Sequence, residues 1–319
     1  GVLSNLKLRT SWGRAGTDNI GQFQYMSAYG TGGDAVFGGQ NPEIAPGYTE
    51  TRFPNPNITW ETSEMFNIGI DASFFNGKLN LEADWFYKKT NDILRERTDM
   101  PAILGYKLPA ANVGKVDNRG IDLNITHRNH LRDFNYSIAG NLTWARNKVI
   151  DLLEPAGEKN NPRQRSTGHS MSQYFGYEAL GLFQSDEEAN NWPQPQFGKA
   201  KAGDIKYKDQ NGDGIIDAED EIAIGRSNYP ELVYGLNLNA EWKGFDITFF
   251  FQGAALADFY YNGYLAFPYI EGRGGALLEH HIGNTWTPEN PKAEFPRLYY
   301  GGNANNQLFS SFWMRNGSY

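Results

Sequence analysis

The twelve residues from Asp209 to Asp220 carry oxygen-bearing side chains at the spacing of a calcium-binding loop. Oxygen ligands stand at loop positions 1, 3, 5, 9 and 12, which are Asp209, Asn211, Asp213, Asp217 and Asp220. Gly214 stands at position 6, where the chain needs a positive φ, and Ile215 would contribute its backbone carbonyl. The last ligand is Asp rather than the usual bidentate Glu, and no exiting helix is predicted after it. We therefore predict a structural Ca²⁺ site rather than a calcium sensor; the alternative is an acidic turn that stays solvated.

No group of residues in the sequence has the types and spacing of a known catalytic site. The chain has no cysteine, which excludes disulfides and cysteine-based metal, redox or nucleophilic sites. His280 and His281 are adjacent, so neither a strand nor a helix would direct both rings at one metal ion. The other histidines lack a carboxylate or nucleophile at a recognisable spacing, and no phosphate-binding loop or Gly-x-Ser-x-Gly motif occurs. We predict that the protein is not an enzyme.

Composition and charge narrow the class of protein further. The formal net charge of −8 is spread along the chain without a basic stripe, so we expect no nucleic-acid partner. No run approaches the roughly 18 consecutive apolar residues of a membrane helix. The 319-residue sequence begins without Met or a signal peptide, and we expect it to be a piece of a longer protein.

Seven segments alternate apolar and polar residues with the period of a β-strand. They are approximately Leu6 to Trp12, Phe66 to Phe74, Leu79 to Tyr87, Gly120 to Arg128, Tyr136 to Trp144, Tyr234 to Trp242 and Phe245 to Gly253. The alternation gives each strand two different faces. Residues expected on the apolar face include Ile68, Ile70, Leu81, Leu142, Leu236 and Ile247, and those on the polar face Asn67, Asp71, Glu82, Asn141 and Asn237.

Short and long connections alternate between these segments. Short turns at Asn76 to Lys78, Asn129 to Asp133 and Lys243 to Gly244 contain residues that favour tight hairpins. The other connections, at about Gly13 to Thr59, Ile93 to Asp117, Leu152 to Pro230 and Ala254 to Ser311, are longer than compact soluble domains usually contain. In an antiparallel meander, all the long connections leave from the same end of the sheet, as they do in outer-membrane barrels.

Aromatic residues near the strand ends fit the same interpretation, because Trp and Tyr form girdles at the two membrane surfaces. They are Trp12, Trp60, Tyr87, Trp144 and Trp242. We predict an all-β, antiparallel transmembrane β-barrel whose apolar face contacts outer-membrane lipid and whose polar face lines the lumen. A soluble β-sandwich or propeller would show the same alternation and remains the alternative.

Eight short motifs follow one another along nearly the whole chain. They are Asn55 to Thr62 with Asn67 to Asp71, Tyr87 to Asp92, Asn112 to Gly114 with Asn118 to Leu123, Phe175 to Gln184, Gly203 to Gly214, Trp242 to Asp246 with Phe251 to Gly253, Trp286 to Asn290, and Gly317 to Tyr319. In this order they resemble the C-terminal barrel region of the SusC/RagA-like TonB-dependent transporters of Bacteroidota.

The resemblance implies that this chain supplies about seven to eight strands, with long extracellular loops, to a 22-stranded plugged barrel. It implies an outer-membrane importer of a glycan, or of a peptide, that acts with a SusD-like surface lipoprotein. Energy would come from TonB, ExbB and ExbD through an N-terminal part that, like the plug domain and signal peptide, we expect outside this sequence. The calcium-like segment 203–225 would be an insertion in an extracellular loop.

The long connections contain aromatic side chains that could stack on sugar rings or contact a protein partner. The candidates are Tyr174, Phe175, Tyr177, Tyr260, Tyr261 and Tyr264, in the segments Tyr174 to Gln184 and Phe259 to Ile270. Packing of the loops on themselves is the alternative interpretation. A soluble, calcium-stabilised carbohydrate-binding β protein is the second hypothesis for function.

Overall fold

The computed structural model describes residues 1–18, 22–39, 42–95, 109–154, 163, 165–269, 276–299 and 303–319, except for the side chain of Arg52. The chain forms two compact units. Unit 1 comprises Gly1–Asn160, Arg165–Met171 and Tyr234–Gln252, and unit 2 comprises Asn161–Gln164, Ser172–Val233 and Gly253–Tyr319. No helix within these described ranges is long and apolar enough to cross a membrane.

A seven-stranded sheet, with its strands in chain order, dominates unit 1. The strands are β1 (Leu3–Thr17), β2 (Glu61–Phe74), β3 (Leu79–Arg95), β4 (Ala111–Leu131), β5 (Phe134–Asp151), β6 (Leu232–Trp242) and β7 (Phe245–Ala255). Pairing is antiparallel between β1 and β2, β2 and β3, β3 and β4, and β4 and β5. The predicted all-β meander is therefore confirmed, with one described strand for each of the seven alternating segments.

The strand register separates an apolar face from a polar face across five strands. One row of directly opposed residues is apolar throughout: Leu8, Ile70, Ala83, Leu123 and Leu142. The row beside it, displaced by one residue, is polar throughout: Lys7, Asp71, Glu82, Asn124 and Asn141. Because side chains alternate between faces with a period of two, one continuous register gives the sheet two chemically different surfaces.

Two short turns occur at the predicted positions and have the expected backbone geometry. After β2 three successive residues, Phe75, Asn76 and Gly77, have φ of 52°, 56° and 83°, and after β6 Lys243 and Gly244 have φ of 48° and 85°. The two-residue turn at Lys243 and Gly244 matches the right-handed twist of a β-hairpin, and glycine adopts its positive φ without a steric cost.

Three predicted boundaries are wrong because the hydrogen-bonded ladders continue beyond the hydrophobic alternation. The third turn consists of Arg132 and Asp133 alone, since Leu131 still pairs with Phe134. Pairing of β3 with β4 reaches Arg95 and Ala111, which shortens the connection predicted from Ile93 to Asp117. β1 continues to Thr17, so it extends into the connection predicted from Gly13. The longest strand, β4, has 21 residues, whereas a tilted strand needs only about 9–11 to cross a bilayer.

Unit 1 also contains four short strands between β1 and β2. Ala28–Thr31 pairs antiparallel with Tyr48–Arg52, and Ala35–Phe37 pairs antiparallel with Glu43–Ala45. A small core beside β3, β4 and β5 consists of Val116, Val149 and Leu152 with Ile93 packed against it.

The long connections that form unit 2 are folded. Four two-stranded ladders pair Tyr174–Gly176 with Ile222–Ile224, Ala179–Leu182 with Ile205–Tyr207, Gln194–Pro195 with Ile215–Ile216, and Asp258–Tyr260 with Met314–Asn316. Helix α1 spans Asp186–Asn190 and is capped by the Ser185 side chain. Single 3₁₀ turns lie at Ala218–Asp220, Gly263–Leu265, Glu279–His281 and Ser311–Trp313.

The core of unit 2 joins segments that are far apart in sequence. Its buried members are Tyr177, Ile205, Tyr207, Ile216, Ala266, Phe295 and Trp313. A second cluster of Phe183, Ala189 and Ala200 packs against Trp192. Unit 2 therefore has buried apolar cores of its own, which stabilise its fold.

Candidate functional site

The polar face of the sheet carries a three-residue ion cluster that bridges β1, β2 and β3. Arg9 Nη2 lies 2.7 Å from Asp71 Oδ1 and 2.7 Å from Asp84 Oδ2. Arg9 Nε also donates to Asp71 at 2.9 Å. Gly69 leaves the space for this cluster, since a Cβ there would overlap the Asp84 carboxylate. Asp71 was predicted on the polar face, and in the cluster one guanidinium is shared by two carboxylates there.

Hydrogen bonds continue across the polar face toward β7. Asn239 Nδ2 donates to Ser137 Oγ at 3.1 Å, and Thr248 Oγ1 donates to Asn239 Oδ1 at 2.8 Å. Asn135 Nδ2 donates to Glu241 Oε2 at 3.2 Å. A cavity of about 720 Å³ in unit 1 is lined by these residues and by the turn from Asn76 to Lys78. Such a surface can pack against polar groups, and three of its carboxylates, Asp71, Asp84 and Glu241, have guanidinium or amide donors.

The opposite face presents apolar side chains outward. Ile68, Ile70, Leu236 and Ile247 are exposed, while Leu81 and Leu142 are half-buried. In β2 the exposed positions are the apolar ones, whereas Asn67 and Asp71 are half-buried among polar neighbours. In β2 the apolar face is therefore the more exposed one, the reverse of a soluble sheet. In β3 and β5 the polar residues Glu82 and Asn141 are exposed as well.

The histidines form no catalytic arrangement among the described residues. His127 Nε2 lies 3.0 Å from Tyr136 Oη. His281 is buried with its ring against Phe295 and His280. Burial, followed by the neighbouring His280, lowers the pKa of His281. The His281 ring packs on Phe295 and accepts a hydrogen bond from Leu278 N at 3.3 Å, contacts that suit a packing role.

The predicted calcium loop is held by its own backbone. Asp209 accepts hydrogen bonds from Gly212 N at 2.6 Å and from Gly214 N at 2.9 Å, one on each carboxylate oxygen. Asp213 Oδ1 accepts from Ile215 N at 2.8 Å, and Asn211 Oδ1 accepts from Asp213 N at 3.0 Å. Gly214 has φ of 85°, as its position in the loop predicts.

The end of the loop is anchored in unit 2. Asp220 is fully buried and accepts from Gln210 N at 2.7 Å and from Asp217 N at 3.0 Å. Ile216 belongs to the core, while Asp217 caps the 3₁₀ turn that follows it. The two ends of the loop are therefore fixed close together by hydrogen bonds.

The fit of these residues to Ca²⁺ depends on their free lone pairs. Burial alone would raise the pKa of the Asp209 carboxyl, but the Gly214 and Gly212 N–H groups lower it below its usual range. Asp209 is therefore an anion with capacity for a cation beside its N–H donors. Across the described ranges no three His, Asp or Glu side chains lie together as a metal site. The oxygen donors suit Ca²⁺ in chemistry, and an ion would have to draw them together.

The aromatic candidates in unit 2 have different surroundings. Tyr260 stacks on Phe309 with ring centroids 4.0 Å apart, and Tyr174 packs on the same ring at 5.5 Å. Burial raises the pKa of Tyr260 to about 12, so its hydroxyl remains a donor, here to Leu308 O at 3.3 Å. Tyr261 donates to Leu265 O at 2.7 Å.

The other three aromatic candidates show the limit of assigning contacts by residue type. Tyr177 is only 4% exposed and lies in the core, which leaves its ring no surface for a ligand. Phe175 is half-buried in its ladder. Tyr264 is 49% exposed, and it offers the most accessible ring of the six. The segment predicted as Phe259 to Ile270 is described as far as Tyr269, and Ile270 lies outside the described residues.

Sequence reasoning missed a buried polar network centred on Asp204. Its carboxylate accepts from Arg297 Nε at 2.8 Å and Nη2 at 3.2 Å, and from Lys201 N at 2.8 Å. Asn303 and Asn306 each donate to Asp204 Oδ1 at 2.9 Å. Asp204 and Arg297 are 93 positions apart, so only the three-dimensional fold brings them together.

Comparison with known proteins relates most of the chain to TonB-dependent receptors. A family model described as TonB dependent receptor-like, beta-barrel, matches residues 2–218. TonB-dependent receptor P26 of Formosa agariphila is 32% identical over 309 residues, which is 93% of this chain and 30% of that protein. TonB-dependent receptor SusC of Bacteroides thetaiotaomicron is 26% identical over 279 residues, 83% of this chain and 26% of that protein. The chain thus spans less than a third of these curated relatives.

Solved structures show a similar fold. The structure described as the RagAB peptide transporter superposes with a TM-score of 0.73 over 99% of this chain and 33% of its own chain, at 22% identity. An open state described as the RagAB peptide importer gives a TM-score of 0.72. At this identity the likeness concerns the fold alone, and the fold is part of a barrel.

Proposed function

Because the chain belongs to the TonB dependent receptor-like β-barrel family and is SusC/RagA-like, we propose that it forms part of an outer-membrane importer of oligomeric nutrients. The observation that carries the proposal is the two-faced sheet, whose register places an apolar row beside a polar row across five strands and leaves apolar residues such as Ile68, Ile70 and Ile247 exposed. Family membership and these exposed apolar residues both argue against the soluble carbohydrate-binding alternative.

The proposed placement follows from the strand connections. The short turns after β2, β4 and β6 join the strands at one end of the sheet, and the long connections join them at the opposite end. In outer-membrane barrels, short turns are periplasmic and long connections extracellular. We therefore place unit 2, which consists largely of long connections, on the cell surface.

The proposed cargo is a glycan oligomer, with a peptide as the second candidate. Relatives named SusC and RagAB support uptake together with a SusD-like surface lipoprotein, and RagAB is described as a peptide transporter. Energy would come from TonB, ExbB and ExbD through the part of the protein that lies outside this chain. Exposed rings such as Tyr264 suit a sugar face or a protein surface equally.

An uptake assay tests the transport proposal. Cells that produce the full-length protein should accumulate a fluorescent oligosaccharide or peptide, and inactivation of TonB should abolish accumulation while surface binding remains. Uptake that persists without TonB would contradict energy-coupled import. Uptake of neither cargo class, by a protein shown to be folded in the outer membrane, would contradict the nutrient assignment.

We also propose that Asp209, Asn211, Asp213, Asp217, Asp220 and the Ile215 carbonyl bind one Ca²⁺ at the cell surface. The proposal is supported by the oxygen spacing and by the ionised, hydrogen-bonded state of Asp209. A Kd of about 10⁻⁴ to 10⁻³ M would be sufficient outside the cell. Calorimetric titration of the chelator-treated full-length protein should detect one site, and Mg²⁺, which demands a tighter octahedral geometry, should bind less well.

A further inference from the structure

His281 lies at the centre of a polar and aromatic cluster inside unit 2. It ends the 3₁₀ turn Glu279–His281, and its side chain is fully buried. Its ring packs edge-on against Phe295 with centroids 4.7 Å apart, and it lies 4.0 Å from the ring of His280. Because Phe295 belongs to the core of unit 2, His281 connects this turn to that core.

The hydrogen bonding of His281 favours the neutral ring. Nδ1 accepts from Leu278 N at 3.3 Å, a bond that needs a lone pair and that closes the start of the turn. A protonated ring carries hydrogen on both nitrogens, so Nδ1 would become a donor that faces another donor. Nε2 is enclosed, and among the described residues no acceptor lies within hydrogen-bond geometry of it.

The carboxylates on the surrounding segments do not compensate a cation at this position. Glu279 is exposed on the same turn, and Glu294, beside Phe295, has its Oε1 atom 3.6 Å from Arg315 Nη2. Within the described ranges neither carboxylate forms an ion pair with His281. A proton on the buried ring would therefore create an unpaired charge in a site that excludes water.

The neighbouring His280 adds to this cost. Its Nε2 atom lies 2.8 Å from Leu265 O and 3.1 Å from Tyr261 Oη, so it can donate there in either protonation state. Burial raises the pKa of Tyr261, which keeps that phenol uncharged. Burial and, after it, His280 lower the pKa of His281, and the backbone carbonyls of Leu265 and Ala266 only partly oppose this shift.

Stability should consequently fall as the pH falls. A histidine whose pKa is lowered by folding takes up its proton more readily in the opened state. The stability that neutral His281 contributes is full above about pH 6.5, the ordinary histidine pKa, and is lost progressively below it.

We propose that His281 is a pH-sensitive latch, which holds the turn Glu279–His281 on the core of unit 2 and which mild acid releases. Release would uncover Phe295 and free the adjoining turn Gly263–Leu265, to which His280 is hydrogen-bonded. These contacts all lie inside unit 2, so further chain packed around the unit would only bury the ring more deeply. The latch requires neither cargo nor calcium.

Hydrogen exchange of the full-length protein in lipid vesicles tests the latch at about pH 7.5 and about pH 5.5, on either side of the ordinary histidine pKa. Rates are divided by those of an unfolded peptide of the same sequence, which removes the intrinsic pH dependence of exchange. Residues 276–284 should lose protection in acid by up to about tenfold, because one pH unit below the ordinary pKa favours the charged, opened form by that factor. Residues 134–144 of β5, in unit 1, should keep their protection.

Two variants separate the latch from a general effect of acid. His281→Asn keeps an acceptor oxygen close to the position of Nδ1 but takes up no proton, so its protection of residues 276–284 should not change with pH. His280→Gln leaves His281 titratable and should keep the pH dependence, reduced by the loss of the neighbouring charge.

Equal protection of residues 276–284 in the unchanged protein at the two pH values would overturn the proposal, and this result does not depend on the folding of either variant. An equal loss of protection in His281→Asn would overturn it as well. So would a loss in β5 as large as that in the turn, because acid would then loosen the whole protein.

Discussion

At the scale of single residues, two charged clusters are built differently although both centre on Asp and Arg. Arg9, Asp71 and Asp84 remain partly exposed on the sheet, so solvent screens their attraction. Asp204 is fully buried and takes its hydrogen bonds from Arg297, two Asn side chains and one backbone N–H. Burial makes the second cluster costly to disturb, whereas the first depends mainly on the space that Gly69 provides.

Gly69→Ala should destabilise the sheet by about 1–3 kcal/mol, because the added Cβ must displace Asp84 and Arg9. Gly13→Ala is the matched substitution, since nothing in the structure lies within 4 Å of a Cβ there. It should be neutral or stabilise by roughly 0.5–1 kcal/mol. Urea unfolding of the full-length protein in lipid vesicles measures both, and equal effects would show that Gly69 is not required for the cluster.

Asp204→Asn should destabilise unit 2 by roughly 2–4 kcal/mol, because Arg297 would lose its charged partner next to a buried site. Hydrogen exchange of the backbone from 203 to 208 should accelerate accordingly. Glu178→Gln breaks the exposed pair with Lys208 and should cost less than about 1 kcal/mol. If both variants exchange alike, the Asp204 network is not what holds this segment.

Asp213→Ala should weaken calcium binding by at least about tenfold, since it removes a charged oxygen ligand. Glu219→Ala removes the same charge from the same loop without removing a proposed ligand, and should reduce affinity only modestly. Calorimetric titration distinguishes the two variants. Equal losses would indicate diffuse electrostatic attraction by an acidic turn rather than coordination.

At the scale of elements, the sequence predicted what depends on period and turn chemistry. Alternation located all seven strands of the sheet, and Asn76-Gly77 and Lys243-Gly244 located two turns, because positive φ restricts residue choice. Strand ends such as Arg95 were missed since a ladder can continue where alternation stops. The fold of unit 2 was missed for another reason. Residue type alone does not distinguish Tyr177, which lies in the core, from Tyr264, which lies on the surface. The pairing of Asp204 with Arg297 joins distant positions and leaves no local pattern in the sequence.

Lipid contact on the apolar face predicts a strong difference between neighbouring residues of β4. Ile125→Arg should cost roughly 2–4 kcal/mol if the position lies near the bilayer midplane, and Asn124→Arg much less. Both side chains are exposed, so crowding does not bias the comparison. At Leu236 and Asn237 we expect the same direction, although the Asn237 amide oxygen is enclosed and its replacement adds a packing cost. Equal folding into vesicles for the two β4 variants would contradict lipid contact.

At the scale of the whole molecule, one chain combines a sheet whose buried cluster is small with a module that has a larger core. The sheet leaves apolar residues such as Ile68, Ile70 and Ile247 exposed, and unit 2 buries Tyr207, Trp313 and Phe295 in a common core. Lipid contact covers the apolar face of a barrel wall, and hydrogen bonds between neighbouring strands close its backbone. Long connections are not required for either. Folded connections of this size therefore point to a role in binding.

The proposed role is docking of a SusD-like lipoprotein, with cargo enclosed between it and the segments Tyr174 to Gln184 and Phe259 to Tyr269. A stable complex should bury at least about 1,000 Å² and depend on a few central rings. Tyr264→Ala should therefore lower co-purification of the lipoprotein from native membranes by roughly tenfold, which is the effect of losing about 1.4 kcal/mol. Tyr229→Ala removes another exposed ring, one that lies outside both segments, and should leave the complex intact. Full-rate import by the parent protein with no lipoprotein bound would reject the docking role, while the barrel assignment would stand because it rests on strand register and family membership.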